Sequence, residues 1–373
     1  MRSLKLAWDS TFARRNQTGS GVYASRLLEQ LAARSDIEVT ILEAWPRESS
    51  RIVTSRALRT AGNLLWTHLA LPRITQRFEF DVLHSPAFVA PVSCSCPTVI
   101  TVHDVTFLHN PAHFSGWWVN YLRLSMPKAL NSAAAIICGS EHSKREIVRA
   151  YSLPEAKVHV VQYGVDHQRF STAAALDRTW ARAAGIEMPY VLHVGVFSER
   201  KNIPGLLRAV ATLRDQGKFR GYQLILAGKE APGVVGGRSI DETIQKFNLH
   251  DLVLKVGHVP DDKLAGLYAG AALLVMPSMH EGFGFPVLEA MATGTPVITS
   301  NVSSLPEVAG DAALLVAPGD TQALAESIHS VLEDDVLRES LRARGLAQAQ
   351  RFTWERTAEG TVAVYRAVAK RSF

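Results

Sequence analysis

Between Tyr190 and Val316 the chain alternates, almost without interruption, between short apolar runs and helix-patterned stretches. The apolar runs lie at 190–195, 222–227, 252–256, 271–276, 295–299 and 312–316. Helical patterns lie between them, at 203–213, 239–247, 260–269, 286–293 and 303–309. Runs apolar on both faces suit strands covered on both sides, and strict strand–helix alternation predicts a parallel, doubly wound α/β sheet. The first half repeats the theme more loosely. Strands are expected at 4–9, 37–42, 81–85, 97–103, 133–139 and 157–161, with a helix at 141–151. Tyr23, Leu27 and Leu31 share one face of the helix between the first two. With 373 residues the chain is long for one core, so two domains are expected, 1–168 and 188–353. Residues 170–188, rich in Ser, Thr, Ala and Arg, read as linker plus a short helix, and helices at 320–333, 336–350 and 354–370 close the chain.

The stretch His280–Pro296 reads His-Glu-Gly-Phe-Gly-Phe-Pro-Val-Leu-Glu-Ala-Met-Ala-Thr-Gly-Thr-Pro. It follows a predicted buried strand. Gly282 and Gly284 let backbone approach a ligand closely, Pro286 suits the first helical position, and Gly294 and Pro296 end the helix. Strand, glycine loop and helix N-terminus together suit an anion. Yet Glu281 and Glu289 bring two carboxylates, which repel phosphate and accept hydrogen bonds from hydroxyls. A ligand with both hydroxyls and phosphate, such as a sugar nucleotide, satisfies both features. At a second strand-to-helix loop, Arg200 and Lys201 can neutralise a pyrophosphate. Gly257-His258-Val259 follows another strand as a candidate base-binding loop. In the first half, Gly19-Ser20-Gly21 opens a helix, and His103, followed by Asp104, sits at the carboxyl end of a strand, where ligands gather in open α/β sheets.

The filled-in motif Glu281-Gly-Phe-Gly-Phe-Pro-Val-Leu-Glu289 resembles the Glu-x7-Glu motif of the family-4 retaining glycosyltransferases. The resemblance is specific over residues 190–320 and looser before them. It implies the GT-B fold: two Rossmann-like doubly wound parallel-sheet domains facing a cleft, with the C-terminal helix, within 354–373, crossing back to the first domain. It implies transfer of a sugar from a nucleotide donor to an acceptor hydroxyl with retention. It places Arg200 and Lys201 on the donor diphosphate, with Gly19, Ser20 and Gly21 approaching the phosphates. It puts Glu289 on the ribose, Glu281 with Gly282, Phe283, Gly284 and Phe285 on the transferred sugar, and His103 on a sugar hydroxyl. The set taken as catalytic is His103, Glu281, Arg200 and Lys201. Tyr163-Gly-Val-Asp166 is similar to the Asn-Gly-Val-Asp that ends the first domain, with Tyr163 in place of Asn; Val196 stands where some members carry a phosphate-binding Arg.

Arg200-Lys-Asn and the Gly-Phe-Gly-Phe-Pro loop look most like bacterial O-antigen and exopolysaccharide mannosyltransferases. GDP-mannose is therefore the first expected donor, with dTDP- and UDP-sugars open, and a glycan or lipid-linked sugar the expected acceptor. No metal or other cofactor is expected, since no Asp-x-Asp occurs to hold a divalent ion on the diphosphate. A sugar-nucleotide epimerase or hydrolase is the runner-up within the fold. The dinucleotide fingerprint formed by Gly19, Gly21 and Ala24 lies about ten residues beyond the end of its strand, which argues against an NAD-dependent dehydrogenase. The net charge of +5 and pI near 9.1 invite nucleic acid as a partner, but no recognition module supports it.

Residues 47–79 alternate Arg47, Arg51, Arg56, Arg59, Arg73 and Arg77 with apolar side chains including Trp66. Two readings stay open: an interfacial membrane segment, or an amphipathic helix packed on its own domain with a solvated basic face. The aromatic stretch 107–121 reads as an acceptor-facing loop, a membrane-dipping edge, or core packing. No apolar run long enough to span a bilayer occurs, and Met1–Asp9 reads as a strand instead of a signal peptide. Cys94, Cys96 and Cys138 suit reduced thiols. The expected location is the cytoplasm, with peripheral contact on the inner face of the membrane as the open addition.

Overall fold

The computed structural model describes residues 2–12, 19–44, 56–109, 111, 116–187, 189–229 and 237–369. Contacts divide the chain into two units, one comprising Met1–Pro111, Gly116–Gly164 and Trp354–Phe373, the other Val165–Thr353.

In the first unit the elements run β1 (Leu4–Asp9), α1 (Gly19–Ala32), β2 (Ile37–Leu42), α2 (Arg56–Leu65), a π-helical turn Trp66–Ala70, α3 (Leu71–Arg77), β3 (Val82–Ser85), β4 (Thr98–Thr101), α4 (Thr106–His109), α5 (Gly116–Ser132), β5 (Ala135–Cys138), α6 (Glu141–Tyr151) and β6 (Val158–Val160). The parallel sheet has the order β2-β1-β3-β4-β5-β6. Strands β3, β4 and β5 are buried at every position, the polar His84, Ser85, Thr98 and Thr101 included. Local chemistry sets the helix ends. Ser140 caps α6 by accepting from the Ser143 N–H at 3.1 Å, and Ser152, at φ 52°, turns the chain out of it.

The second unit runs α7 (Arg178–Ala183), β7 (Tyr190–Val194), α8 (Ile203–Asp215), β8 (Gln223–Ala227), α9 (Gly237–Lys246), β9 (Val253–Gly257), α10 (Asp261–Ala269), β10 (Leu273–Met276), α11 (Phe285–Ala292), β11 (Val297–Ser300), α12 (Leu305–Ala309), β12 (Leu314–Val316), α13 (Thr321–Glu333) and α14 (Asp335–Ala349). Its parallel sheet has the order β12-β11-β10-β7-β8-β9. On one face Leu206, Leu207 and Val210 of α8 join Ile328 and Val331 of α13 over Val191, Leu224, Leu226, Val275 and Ile298. The chain starts this sheet in the middle, at β7, and later returns to β7's other side with β10. The strand order therefore reverses between β7 and β10, the place where open α/β sheets hold ligands beyond the strands' carboxyl ends.

The last helix, α15 (Trp354–Ala369), crosses back to the first unit, against α1, β3 and β5. A buried polar chain ties it there. Tyr365 Oη meets His84 Nδ1 at 2.5 Å, His84 Nε2 meets Thr101 Oγ1 at 2.8 Å, and Thr101 Oγ1 meets Tyr23 Oη at 3.0 Å. Burial pushes the His84 imidazole down to about 3, so it is neutral at ordinary pH.

The structure departs from the sequence reading in places. The stretch 107–121, for which a loop, a membrane-dipping edge and core packing stayed open, is helical at Phe107–His109 and from Gly116 onward, with Phe107 and Val119 buried. Trp117, Trp118 and Tyr121 stack along the first turns of α5, and Val119, Leu122 and Met126 bury its other face, so packing overrides the broken sequence pattern. Phe285 takes the first helical position of α11 and Pro286 the second. His103 lies two residues beyond the end of β4, which stops at Thr101. Of the basic stretch 47–79, Arg47 and Arg51 lie outside the described residues, as do the side chains of Arg56 and Arg59. The three cysteines are free thiols. Among the described residues no helix is long and apolar enough to cross a membrane.

Candidate active site

The loops after β7 and β10 meet at the point where the strand order of the second unit reverses. Arg200 Nη1 donates to the His280 carbonyl at 2.5 Å and to Glu281 Oε2 at 2.6 Å. Lys201 Nζ lies 2.7 Å from Glu281 Oε1. Each carboxylate oxygen thus has its own cation. Lys201 is only 5% exposed and Glu281 7%. Burial alone would raise the Glu281 carboxyl, but the Arg200 and Lys201 charges overcome it and hold the group down at about 2. Burial lowers Lys201 from its ordinary value, with Glu281 opposing. Two cations against one carboxylate leave the cluster at net +1, fit to take a diphosphate in addition to or in exchange for Glu281.

Backbone geometry brings these loops together. Gly195, at φ +152°, lies under Lys201, and a Cβ there would come within 2.9 Å of its Cε. Gly228, at φ +153°, lets the loop after β8 cross the loop after β7, where a Cβ would meet the Gly195 carbonyl oxygen at 1.9 Å. Met279 N–H bonds the Arg200 carbonyl at 2.7 Å. From the loop before α12, Ser304 Oγ donates to the carbonyls of Glu281 (2.8 Å) and Phe283 (2.7 Å), and Ser303 Oγ accepts from the Glu281 N–H at 3.0 Å. Gly284 at φ +119° then turns the chain into α11. Phe283 is buried edge-on against Phe285, at 5.2 Å between ring centroids.

On α11, Glu289 is half-buried and accepts from Tyr268 Oη at 2.8 Å. Burial raises its carboxyl above the ordinary value. Val259 is buried just past Gly257, which ends β9 at φ +68°. In the first unit, Gly19, Ser20 and Gly21 form the first turn of α1, with Gly21 buried. His103 is 8% exposed, with Nδ1 2.8 Å from Tyr163 Oη and Nε2 3.2 Å from the Pro86 carbonyl. Burial lowers its imidazole to about 4. Arg200, Lys201, Glu281 and the 282–285 loop therefore form one cluster in the second unit, with Glu289 on the helix that follows. Nothing local in the sequence marks Ser303 and Ser304, which hold this cluster, or Tyr268, which holds Glu289.

Residues 179–348 match the family model described as glycosyl transferases group 1, and residues 18–169 match the model of glycosyltransferase family 4. The O-antigen chain mannosyltransferase B of Escherichia coli is 35% identical, over 94% of this chain and 96% of that protein. The chain belongs to glycosyltransferase family 4. Another relative, the serotype-specific mannosyltransferase WbdA of Escherichia coli, is 28% identical over 82% of this chain and 38% of that protein. The structure of HepE from Anabaena, in complex with UDP and glucose, superposes with a TM-score of 0.76 at 19% identity, covering 98% of this chain and 100% of that one. That likeness shows the GT-B fold, two parallel six-stranded sheets flanked by helices.

Proposed function

We propose that this glycosyltransferase moves mannose from GDP-mannose to a hydroxyl of a glycan or lipid-linked sugar, with retention and without a metal ion, in cell-surface polysaccharide assembly. The observation that carries the donor reading is the buried Arg200–Glu281–Lys201 cluster at the switch point of the second unit's sheet. The mannosyl reading is supported by the mannosyltransferase relatives. Arg200 and Lys201 offset charge on the departing diphosphate, helped by the amides of Gly19–Gly21. Glu289 holds the ribose, Val259 borders the base, Glu281 and residues 282–285 hold the transferred sugar, and His103 meets a sugar hydroxyl. The bond from the anomeric carbon to phosphate breaks as the acceptor oxygen bonds that carbon, and the departing phosphate oxygen takes the acceptor's proton. A thermal-shift panel of GDP, UDP, dTDP, NAD and an oligonucleotide tests this reading, because a ligand of the native state raises its melting temperature. GDP is expected to give the largest shift. A larger shift with UDP or dTDP moves the donor to that base, and a shift with NAD or oligonucleotide alone contradicts the reading.

Transfer is expected to survive excess EDTA, since Arg200 and Lys201 supply the positive charge. Loss of activity that Mn²⁺ or Mg²⁺ restores would contradict metal independence. Glu289→Ala is expected to raise the donor KM roughly tenfold with little change in kcat, because the ribose does not change during the reaction and the lost hydrogen bonds are equal in ground and transition states. A fall in kcat at unchanged donor affinity would remove Glu289 from the ribose.

Peripheral membrane contact belongs to the same proposal, as a route to a lipid-linked acceptor in the cytoplasm. Leu65, Leu69 and Phe78 are exposed near exposed Arg73 and Arg77. His68 on the same stretch bonds Tyr121 of α5 at 3.0 Å, and α5 exposes Trp117 and Leu124. Co-sedimentation with anionic vesicles is expected to exceed that with neutral ones and to fall with salt. Equal, negligible binding to both would leave only the packed-helix reading.

A further inference from the structure

We propose that Tyr163 is the positioning residue that fixes His103 as a hydrogen-bond donor through Nε2. The imidazole has two partners. Nε2 faces the Pro86 carbonyl at 3.2 Å, and a carbonyl only accepts, so the ring proton sits on Nε2. Nδ1 is then a lone pair, and the Tyr163 hydroxyl 2.8 Å away donates to it. The opposite tautomer would aim one lone pair at another in a buried setting. An imidazolium is removed as an alternative by the burial that lowers this group to about 4.

The surroundings hold the arrangement. His103 packs edge-on against Tyr23 and Phe88, at 5.1 and 5.6 Å between centroids, and Tyr163 lies 4.4 Å from Tyr23. Tyr163 is buried over Gly139, where an added Cβ would come within 2.8 Å of its ring. A tyrosine at this position has room only because residue 139 lacks a side chain. The consequence for the reaction rests on the reading above that His103 meets a sugar hydroxyl. Nδ1 is engaged, so the ligand oxygen takes the Nε2 proton in place of the longer bond to Pro86. His103 then donates and does not act as a base.

Nitrogen-15 NMR of the histidine-labelled protein without ligand reads the tautomer directly. The expected result is protonated Nε2 and bare Nδ1 at neutral pH; protonated Nδ1 would overturn the assignment whatever the substrate. Tyr163→Phe keeps the ring and removes the donor. It is expected to shift the Nδ1 resonance, which loses its hydrogen-bond donor, and to lower kcat with GDP-mannose about tenfold to a hundredfold, with donor KM within about twofold. His103→Gln, whose amide reaches the Nε2 position, is expected to keep more activity than His103→Asn, whose amide reaches only Nδ1. A Tyr163→Phe variant with an unchanged Nδ1 resonance and unchanged kcat would overturn the positioning role. Failure of the donor reading shows differently, as wild-type protein that does not turn over GDP-mannose while its His103 tautomer is the expected one.

Discussion

Lys201→Met is expected to lower kcat/KM for the sugar-nucleotide donor about a thousandfold, the scale of losing one preorganised charge at a departing anion. Lys201 is 5% exposed and its ammonium lies 2.7 Å from Glu281, so its charge acts in a dry setting where it is poorly screened. Methionine keeps most of the side chain's length and apolar packing, so the loss reports the charge. Lys201→Arg is not expected to restore activity, because the side chain lies across Gly195 and leaves no room for a planar guanidinium. Steady-state kinetics with GDP-mannose checks this. A Lys201→Met enzyme within about threefold of wild type would mean that Lys201 only packs the loop.

Glu281→Gln is expected to destabilise the protein by about 3 kcal/mol, since removing one partner of a buried ion pair leaves the other's charge uncompensated. Melting temperature should fall by about 6 °C or more. GDP should recover more of that loss in the variant than it adds to wild type, because the diphosphate replaces the missing negative charge. The pH dependence carries the same signature. The folded carboxyl titrates at about 2, below its ordinary value of 4.5. Its stabilisation is therefore complete above the ordinary value and is lost as pH falls toward the folded one. The stability gap between wild type and Glu281→Gln should close across that window. A gap that stays constant on acidification would show that Glu281 is not the counter-charge of Arg200 and Lys201. The variant should also lose kcat by about tenfold or more, if the carboxylate supports positive charge on the transferred sugar.

Periodicity made the elements of the second unit readable, because each strand and helix there carries its own apolar pattern. The glycines and proline of 282–286 likewise announced a strand–loop–helix turn. What bonds what inside the cluster was not readable. Arg200 and Glu281 lie 81 residues apart, and they meet only because β10 docks on the free side of β7, an order that no local pattern encodes. For the same reason Ser304, a small polar residue in an ordinary turn, gave no sign of clamping the Glu281 loop. That both oxygens of Glu281 lie on cations is likewise visible only in three dimensions. Helix α5 was obscured by Pro111 and Gly116, which mark breaks without saying that the aromatic residues after them stack as a helical turn.

On the proposed reading, Arg200 and Lys201 hold the diphosphate of the donor. Calorimetric titration with GDP and GMP, on wild type and on the Arg200→Ala/Lys201→Met double variant, tests it most directly. Wild type is expected to bind GDP at least about tenfold more tightly than GMP, a difference of about 1.4 kcal/mol supplied by the second phosphate, and the double variant to lose this preference. Equal affinities for GDP and GMP in wild type, or a preference that survives in the double variant, would contradict it.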